Sequence, residues 1–215
     1  MVEPILLISI LIFNIKTMKN ILKIIFLSVL FSSTMISCVN DEETDIPYVD
    51  SPLFKETFKD DFPTWVRYSE LGAQVWVFST FGNQDDHCAK MSGYSGSSNA
   101  NIDWLISPAQ DLSSFSKAAI AFDNAYNFTG APIEVFISNT YSGTGNPNAV
   151  GVTWTKINGA KLSVGNYEYI FSGVLDISNF AGSGNESVYV AFKYTSTTTA
   201  SSTWEIDNFK VYGTN

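Results

Sequence analysis

The run Asp103-Trp104-Leu105-Ile106-Ser107-Pro108 limits what this chain can fold into more than any other stretch. Three consecutive apolar residues read as a short buried strand, and Pro108, which cannot donate to a sheet ladder, stops it. A short polar turn leads to Leu112, and a second apolar run begins at Ala118. The far end of the chain echoes this passage in Thr203-Trp204-Glu205-Ile206-Asp207-Asn208-Phe209. Between and before them, residues 54–58 alternate apolar and polar, Phe62-Pro63-Thr64-Trp65 turns, and further short runs occupy 65–68, 74–78, 133–138, 154–157, 167–171 and 188–194. Residues 81–101, rich in Gly, Ser, Asn and Asp, read as a long surface excursion with a short strand at 88–91. Long helical periods are absent, and no repeat recurs at a fixed spacing. Roughly ten short strands with turn signals between them predict an all-β domain, a β-sandwich of the jelly-roll kind.

Residues 1–37 are expected to lie outside that fold. Met18-Lys19-Asn20-Ile21-Leu22-Lys23 is a basic leader, residues 24–36 are apolar, and Ser37 places a small residue before Cys38. This order is a secretory signal peptide, removed on maturation. The apolar stretch is shorter than the roughly 20 residues of a spanning helix. Met18 begins a complete signal by itself, so residues 1–17 read as an upstream start. A cysteine directly after the small residue resembles a bacterial lipobox, whose cysteine takes lipid and becomes the mature N-terminus; Met35 departs from the strict pattern. The expectation is a lipoprotein attached at Cys38 to the outer membrane, exposed on the cell surface, with the lipid as its sole membrane contact. Residues 38–50 open with Val39-Asn40-Asp41-Glu42-Glu43-Thr44-Asp45, acidic and without apolar period, and read as a tether.

The remainder after the leader, residues 38–215, is long enough for one sizeable core, placed at residues 51–215. The whole chain has 12 Lys and Arg against 21 Asp and Glu; Lys16, Lys19, Lys23 and Glu3 fall in the leader, which leaves 9 basic and 20 acidic side chains, a net of −11. Arg67 is the one arginine. Phosphate backbones demand clustered Lys and Arg, so nucleic acid is excluded as a partner. With Cys38 assigned to the anchor, Cys88 has no cysteine to pair with and reads as a buried structural thiol.

In order along residues 53–213, several segments carry a family resemblance. They include Glu56-x-Phe58, Pro63-x-Trp65, Trp76, the block 103–108 with Asp111-Leu112, and Phe122-Asp123-x-Ala125-Tyr126. Trp154, Asp176-Ile177-Ser178, Ala191-Phe192-Lys193-Tyr194 and Trp204-x-Ile206-Asp207-Asn208 follow. Together they resemble the choice-of-anchor J family, a jelly-roll module of Bacteroidetes surface proteins related to gingipain cleaved-adhesin domains and, more distantly, to MAM domains. Acidic residues after the anchor cysteine are similar to the surface-export signal of such lipoproteins. The resemblance implies a structural cation near the chain ends. In jelly rolls the first and last strands commonly lie side by side, which would join Glu56 to Asp207, with Asp123 as a third carboxylate for Ca2+, a hard ion that takes oxygen ligands. Where relatives carry an Asp/Gly-rich turn between Trp65 and Trp76, this chain has Glu70-Leu71-Gly72-Ala73.

Catalytic sets are thin. His87 is the one histidine, and its neighbour Cys88 would point to the opposite face of a strand. Zinc would want three or four His or Cys ligands. The tryptophans match frame positions and read as packing. Tyr94, Tyr126, Phe128 and Tyr141, next to loops rich in Ser, Thr and Asn, are the candidates for stacking on sugar. The chain therefore reads as a non-catalytic surface binding module for a carbohydrate or for a surface or host protein. A glycan hydrolase and a structural part of a surface complex are the alternatives. Replacing Cys38 with Ala is expected to release the protein to a soluble fraction; a variant that still partitions into detergent like the wild type would refute the anchor.

Overall fold

In the computed structural model, which describes residues 51–84 and 87–215, two antiparallel sheets enclose one core. Cys38, the leader and the tether lie outside the described residues, as do Asp85 and Asp86. The strands are β1 (Phe54–Glu56), β2 (Val66–Leu71), β3 (Val77–Ser79), β4 (Cys88–Ser92), β5 (Asn101–Ile106), β6 (Lys117–Asn127), β7 (Glu134–Ser138), β8 (Thr155–Ile157), β9 (Ile170–Phe171), β10 (Leu175–Asp176), β11 (Tyr189–Ser196) and β12 (Thr203–Thr214). A single 3-10 turn, Ser178–Phe180, separates β10 from β11. Sheet A runs β10-β6-β12-β4-β3, with β1 also on β12 and β9 also on β6; sheet B runs β2-β5-β11-β7-β8.

Period-two alternation decides which face is buried. In sheet A, Trp204 and Ile206 of β12, Ile120 and Phe122 of β6, and Ala89 and Met91 of β4 face the core. Sheet B answers with Leu105, Val190, Phe192 and Tyr194, and with Val135 and Ile137. Residues 103–106 of the block lie in β5, an interior strand between β2 and β11, as its apolar run requires. Its alternate residues, Trp104 and Ile106, face outward instead and are covered by Tyr141, Tyr189 and the half-buried Trp154 in a second, smaller cluster. Trp65, Trp76, Trp104 and Trp204 are all buried.

A bulge interrupts β12. Asp207 pairs with Asp123 and Lys210 pairs with Ala121, so two residues of β12 face one of β6. Asn208 sits there in the left-handed region, at φ 48°, which Asn tolerates through local hydrogen bonding. The extra residue reverses the alternation: Asp207 points outward and Phe209, two positions on, points into the core. The short strand expected at 88–91 is present, but the stretch 81–101 around it is not wholly the surface excursion its composition suggests. It contains β4, an interior strand between β12 and β3, and its Cys88, Ala89 and Met91 are fully buried.

Asp103 is the anomaly of the core. It lies on the inward face of β5, 1% exposed, and neither carboxylate oxygen has a hydrogen-bond partner. Its register neighbour Ser69 turns its hydroxyl to the carbonyls of Leu71 and Gly72. Burial pushes the Asp103 carboxyl up to about 7. The folded chain thus holds this proton more tightly than the unfolded chain. The stabilisation is complete below the ordinary carboxylate range and is lost as pH rises through about 7. Asp103→Asn should therefore melt several degrees above the wild type at pH 8 and lose that advantage below pH 4; each kcal/mol is worth about 2–4 °C in a domain of this size. A variant that melts below the wild type at pH 8 would mean the buried carboxylate is stabilised in its charged form.

Candidate functional site

The outer face of sheet A has a polar floor. With Ala89 and Met91 turned inward, Lys90 and Ser92 of β4 turn outward; with Trp204 and Ile206 inward, Thr203, Glu205 and Asp207 of β12 turn outward. Thr203 Oγ1 donates to Ser92 Oγ at 2.9 Å. Above this pair, the loops at 93–100, 128–132 and 197–202 enclose a cavity of about 510 Å³. Tyr94 and Phe128 wall it, each 60% exposed, and Ser98, Thr129, Thr199 and Ser201 fill in between. The structure thus brings together two of the four aromatic residues expected to bind sugar.

Hydrogen bonds hold this rim in place. The Gly93 N–H donates to Tyr194 Oη at 2.8 Å, and Tyr194 Oη donates to the Ser202 carbonyl at 2.6 Å, so one buried phenol ties two loops. Ser201 Oγ reaches Ser98 Oγ at 2.9 Å, and Trp204 Nε1 donates to the Ala131 carbonyl at 3.1 Å. Gly130 passes so near Ser202 that a Cβ there would lie 2.5 Å from its backbone nitrogen, a contact only glycine avoids. Phe128 adopts φ 68°, an uncommon conformation for a bulky side chain, and its N–H is held by Asn127 Oδ1 at 2.8 Å. That strain turns an apolar ring out to solvent.

The other two aromatic candidates do not join them. Tyr126 faces the core side of β6 and lies against Trp204, with ring centroids 4.8 Å apart at 26°. Tyr141 is 4% exposed, packed against Trp154 and Tyr189, and its hydroxyl donates to the Gly145 carbonyl. It belongs to the small cluster on sheet B and presents no face to a ligand.

A second cavity, about 500 Å³, lies over the next register pair, Glu205 with Lys90. Phe81, Tyr167 and Tyr169 wall it. Phe81 is the more exposed of its rings, at 70%. Glu205 is buried; burial pushes its carboxyl up, while the Lys90 ammonium 3.9 Å away and a hydrogen bond from Tyr169 Oη hold it back. Sequence reasoning missed Phe81 and Tyr167. The available signal was Lys90 and Glu205 at outward positions of paired strands, with aromatic residues in the flanking loops.

Asp123 and Asp207 stand opposite each other on β6 and β12. Asn83 bridges them, its N–H donating to Asp207 Oδ2 and its side-chain amide to Asp123 Oδ2, both at 2.9 Å. Asn208 does the same from the bulge, by its N–H to Asp207 Oδ1 and its amide to Asp123 Oδ2. Glu56 stays apart. It aligns with Phe209, a core residue, and its oxygens accept from the Phe58 N–H and Trp65 Nε1. Strand β1 does lie beside β12, yet the bulge puts Glu56 on the opposite face from Asp207. Among the described residues, no three His, Cys, Asp or Glu side chains gather closely enough to hold a metal ion.

Cys88 is buried and donates to the Phe81 carbonyl at 3.0 Å; burial pushes its thiol up to about 12, so it holds its proton and is a poor nucleophile. The neighbouring His87 ring stacks on Phe78, with centroids 5.2 Å apart.

Residues 87–215 match the family described as "Domain of unknown function (DUF5017)". Among curated proteins, none matches the chain. Solved structures that share the fold include three cleaved adhesin domains of Lys-gingipain. The K1 domain, from Porphyromonas gingivalis W83, is 17% identical with a TM-score of 0.54, over 75% of this chain and 98% of its own. The K2 domain is 18% identical with a TM-score of 0.52, over 74% and 98%. The K3 domain, also from Porphyromonas gingivalis W83, is 11% identical with a TM-score of 0.52, over 76% and 100%.

Proposed function

The chain belongs to the DUF5017 family, and we propose that it is a non-catalytic binding module that captures glycan in the cavity between Tyr94 and Phe128. The observation that carries this reading is the pairing of two solvent-facing rings with a floor and rim of hydroxyl side chains. A sugar offers an apolar face to a ring and hydroxyls to Ser and Thr; Tyr94 and Phe128 supply the one, and Ser92, Ser98, Ser201 and Thr203 the other. The tied rim means little ordering is needed on binding, which favours affinity.

The hydrolase alternative is weaker. Glycoside hydrolysis uses a pair of carboxyl groups flanking the bond. Among the described residues, the cavity at Phe81 has one carboxylate in its lining, Glu205, and the cavity at Tyr94 has none. In the cell we place the module on the outer membrane surface, held by lipid at Cys38 and its acidic tether, as the resemblance to choice-of-anchor J lipoproteins suggests. A surface or host protein is the competing partner class. The likeness to adhesin domains concerns the fold alone.

A glycan array probed with residues 39–215 should give signal that Tyr94→Ala or Phe128→Ala lowers by about tenfold, as for a lost stacking contact. Both side chains are exposed, so neither change should unfold the chain. Tyr141→Ala, by contrast, should cost stability, about 3 kcal/mol for emptying a buried aromatic site. Signal that survives both exposed changes would move the site elsewhere, silence across the array would favour a protein partner, and shortened glycan would favour the enzyme.

We also propose a structural calcium ion between Asp123 and Asp207, without Glu56. Two facing carboxylates, one of them fully buried, favour a cation between them. Chelation should then lower the melting temperature and added calcium restore it, because an ion bound only to the folded state stabilises it. Unchanged melting in both conditions would retire the ion.

A further inference from the structure

The two cavities on sheet A share one floor. Thr203 pairs with Ser92 beneath the first and Glu205 with Lys90 beneath the second. Residues two apart on a strand face the same way and lie about 7 Å from each other, so the two pairs sit side by side on the outer face. The walls meet as well. Phe128 of the first cavity stands edge-on to Tyr167 of the second, with ring centroids 6.1 Å apart. Phe128 and Tyr167 thus stand where the two cavities adjoin, with Tyr94 in the wall of the first and Phe81 in the wall of the second.

We infer that these cavities are consecutive subsites for one extended, uncharged oligosaccharide, so that the module reads a stretch of glycan backbone rather than a single terminal sugar. The inference rests on the glycan-binding reading above and goes further by assigning the second subsite and the ligand class. Lys90 Nζ and Glu205 Oε1 are 3.9 Å apart. That is too far for a tight ion pair, and it leaves room for a ligand hydroxyl that donates to the carboxylate and accepts from the ammonium. The ammonium also lies 5.9 Å from the centre of the Phe81 ring, so charge and stacking surface face the same space. Each charge in the second subsite already has its opposite beside it, and the first subsite has hydroxyls alone. A neutral polyol matches both. An anionic sugar would meet Glu205 at the floor and a strongly acidic chain around it.

The test titrates the full chain with β-1,4-linked gluco-, xylo-, galacto- and manno-oligosaccharides, from monosaccharide to hexasaccharide. Affinity in the binding series should rise at least about tenfold once the ligand is long enough to span both cavities, and then level off. Phe81→Ala and Lys90→Met should erase most of that gain. Tyr94→Ala should weaken every length. Melting curves of the Phe81 and Lys90 variants that match the wild type separate lost contact from lost fold. Length-independent affinity with an inert Phe81→Ala would overturn the shared groove and leave the first subsite standing. Binding by none of the four series would overturn the groove and the glycan reading together.

Discussion

Everything else in the sandwich hangs on the pairing of β12. It runs beside β6 along nearly its whole length, and its other edge is divided between β4 at the start and β1 at the end. Three segments far apart in sequence therefore take their positions from one strand. Its inward residues, Trp204, Ile206, Phe209 and Val211, build the core against sheet B. Its outward residues, Thr203, Glu205 and Asp207, supply the floor of both cavities and half of the acidic pair. Core and site are two sides of the same backbone, so a register slip of one residue would destroy both at once.

The sequence made the architecture legible wherever alternation was unbroken. Short apolar runs located most strands, the run around Trp104 marked an interior one, and the jelly-roll reading correctly put the first strand beside the last. It failed at the bulge. Counted in twos, Asp207 and Phe209 share a face, and Glu56 opposite Phe209 would join the acidic pair. One inserted residue at Asn208 reverses that, and nothing in a pattern of residue types reports how many residues face one partner. Strand β4 was legible as a short strand at 88–91, but its interior place was not: Gly, Ser and Asn on both sides of a five-residue strand read as surface loop. Strand β10, two residues long, is too short to show a period at all.

The site divides the same way. Tyr94 and Phe128 were legible as aromatics in polar loops, and the fold brings them together. Tyr141 has the same local surroundings in sequence, yet the turn after β7 folds back over the outer face of sheet B and buries its ring against Trp154 and Tyr189. Exposure of a loop aromatic is a tertiary property. Phe81 and Tyr167 belong to the groove only because β4 carries Lys90 into the middle of the sheet beside Glu205, a relation between segments more than a hundred residues apart.

Phe128 has a consequence for how such a chain would drift. Its backbone angle suits glycine or asparagine better than any aromatic residue. A lineage selected only for folding would replace Phe128, gain stability and keep every strand. It would also lose the ring that the strain holds out to solvent, and with it the contact proposed for this face. Selection for stability and selection for recognition pull this one position in opposite directions, the trade that functional strain imposes on a scaffold. A stabilised descendant that carried glycine there would keep the sandwich and have stopped holding whatever this face once held.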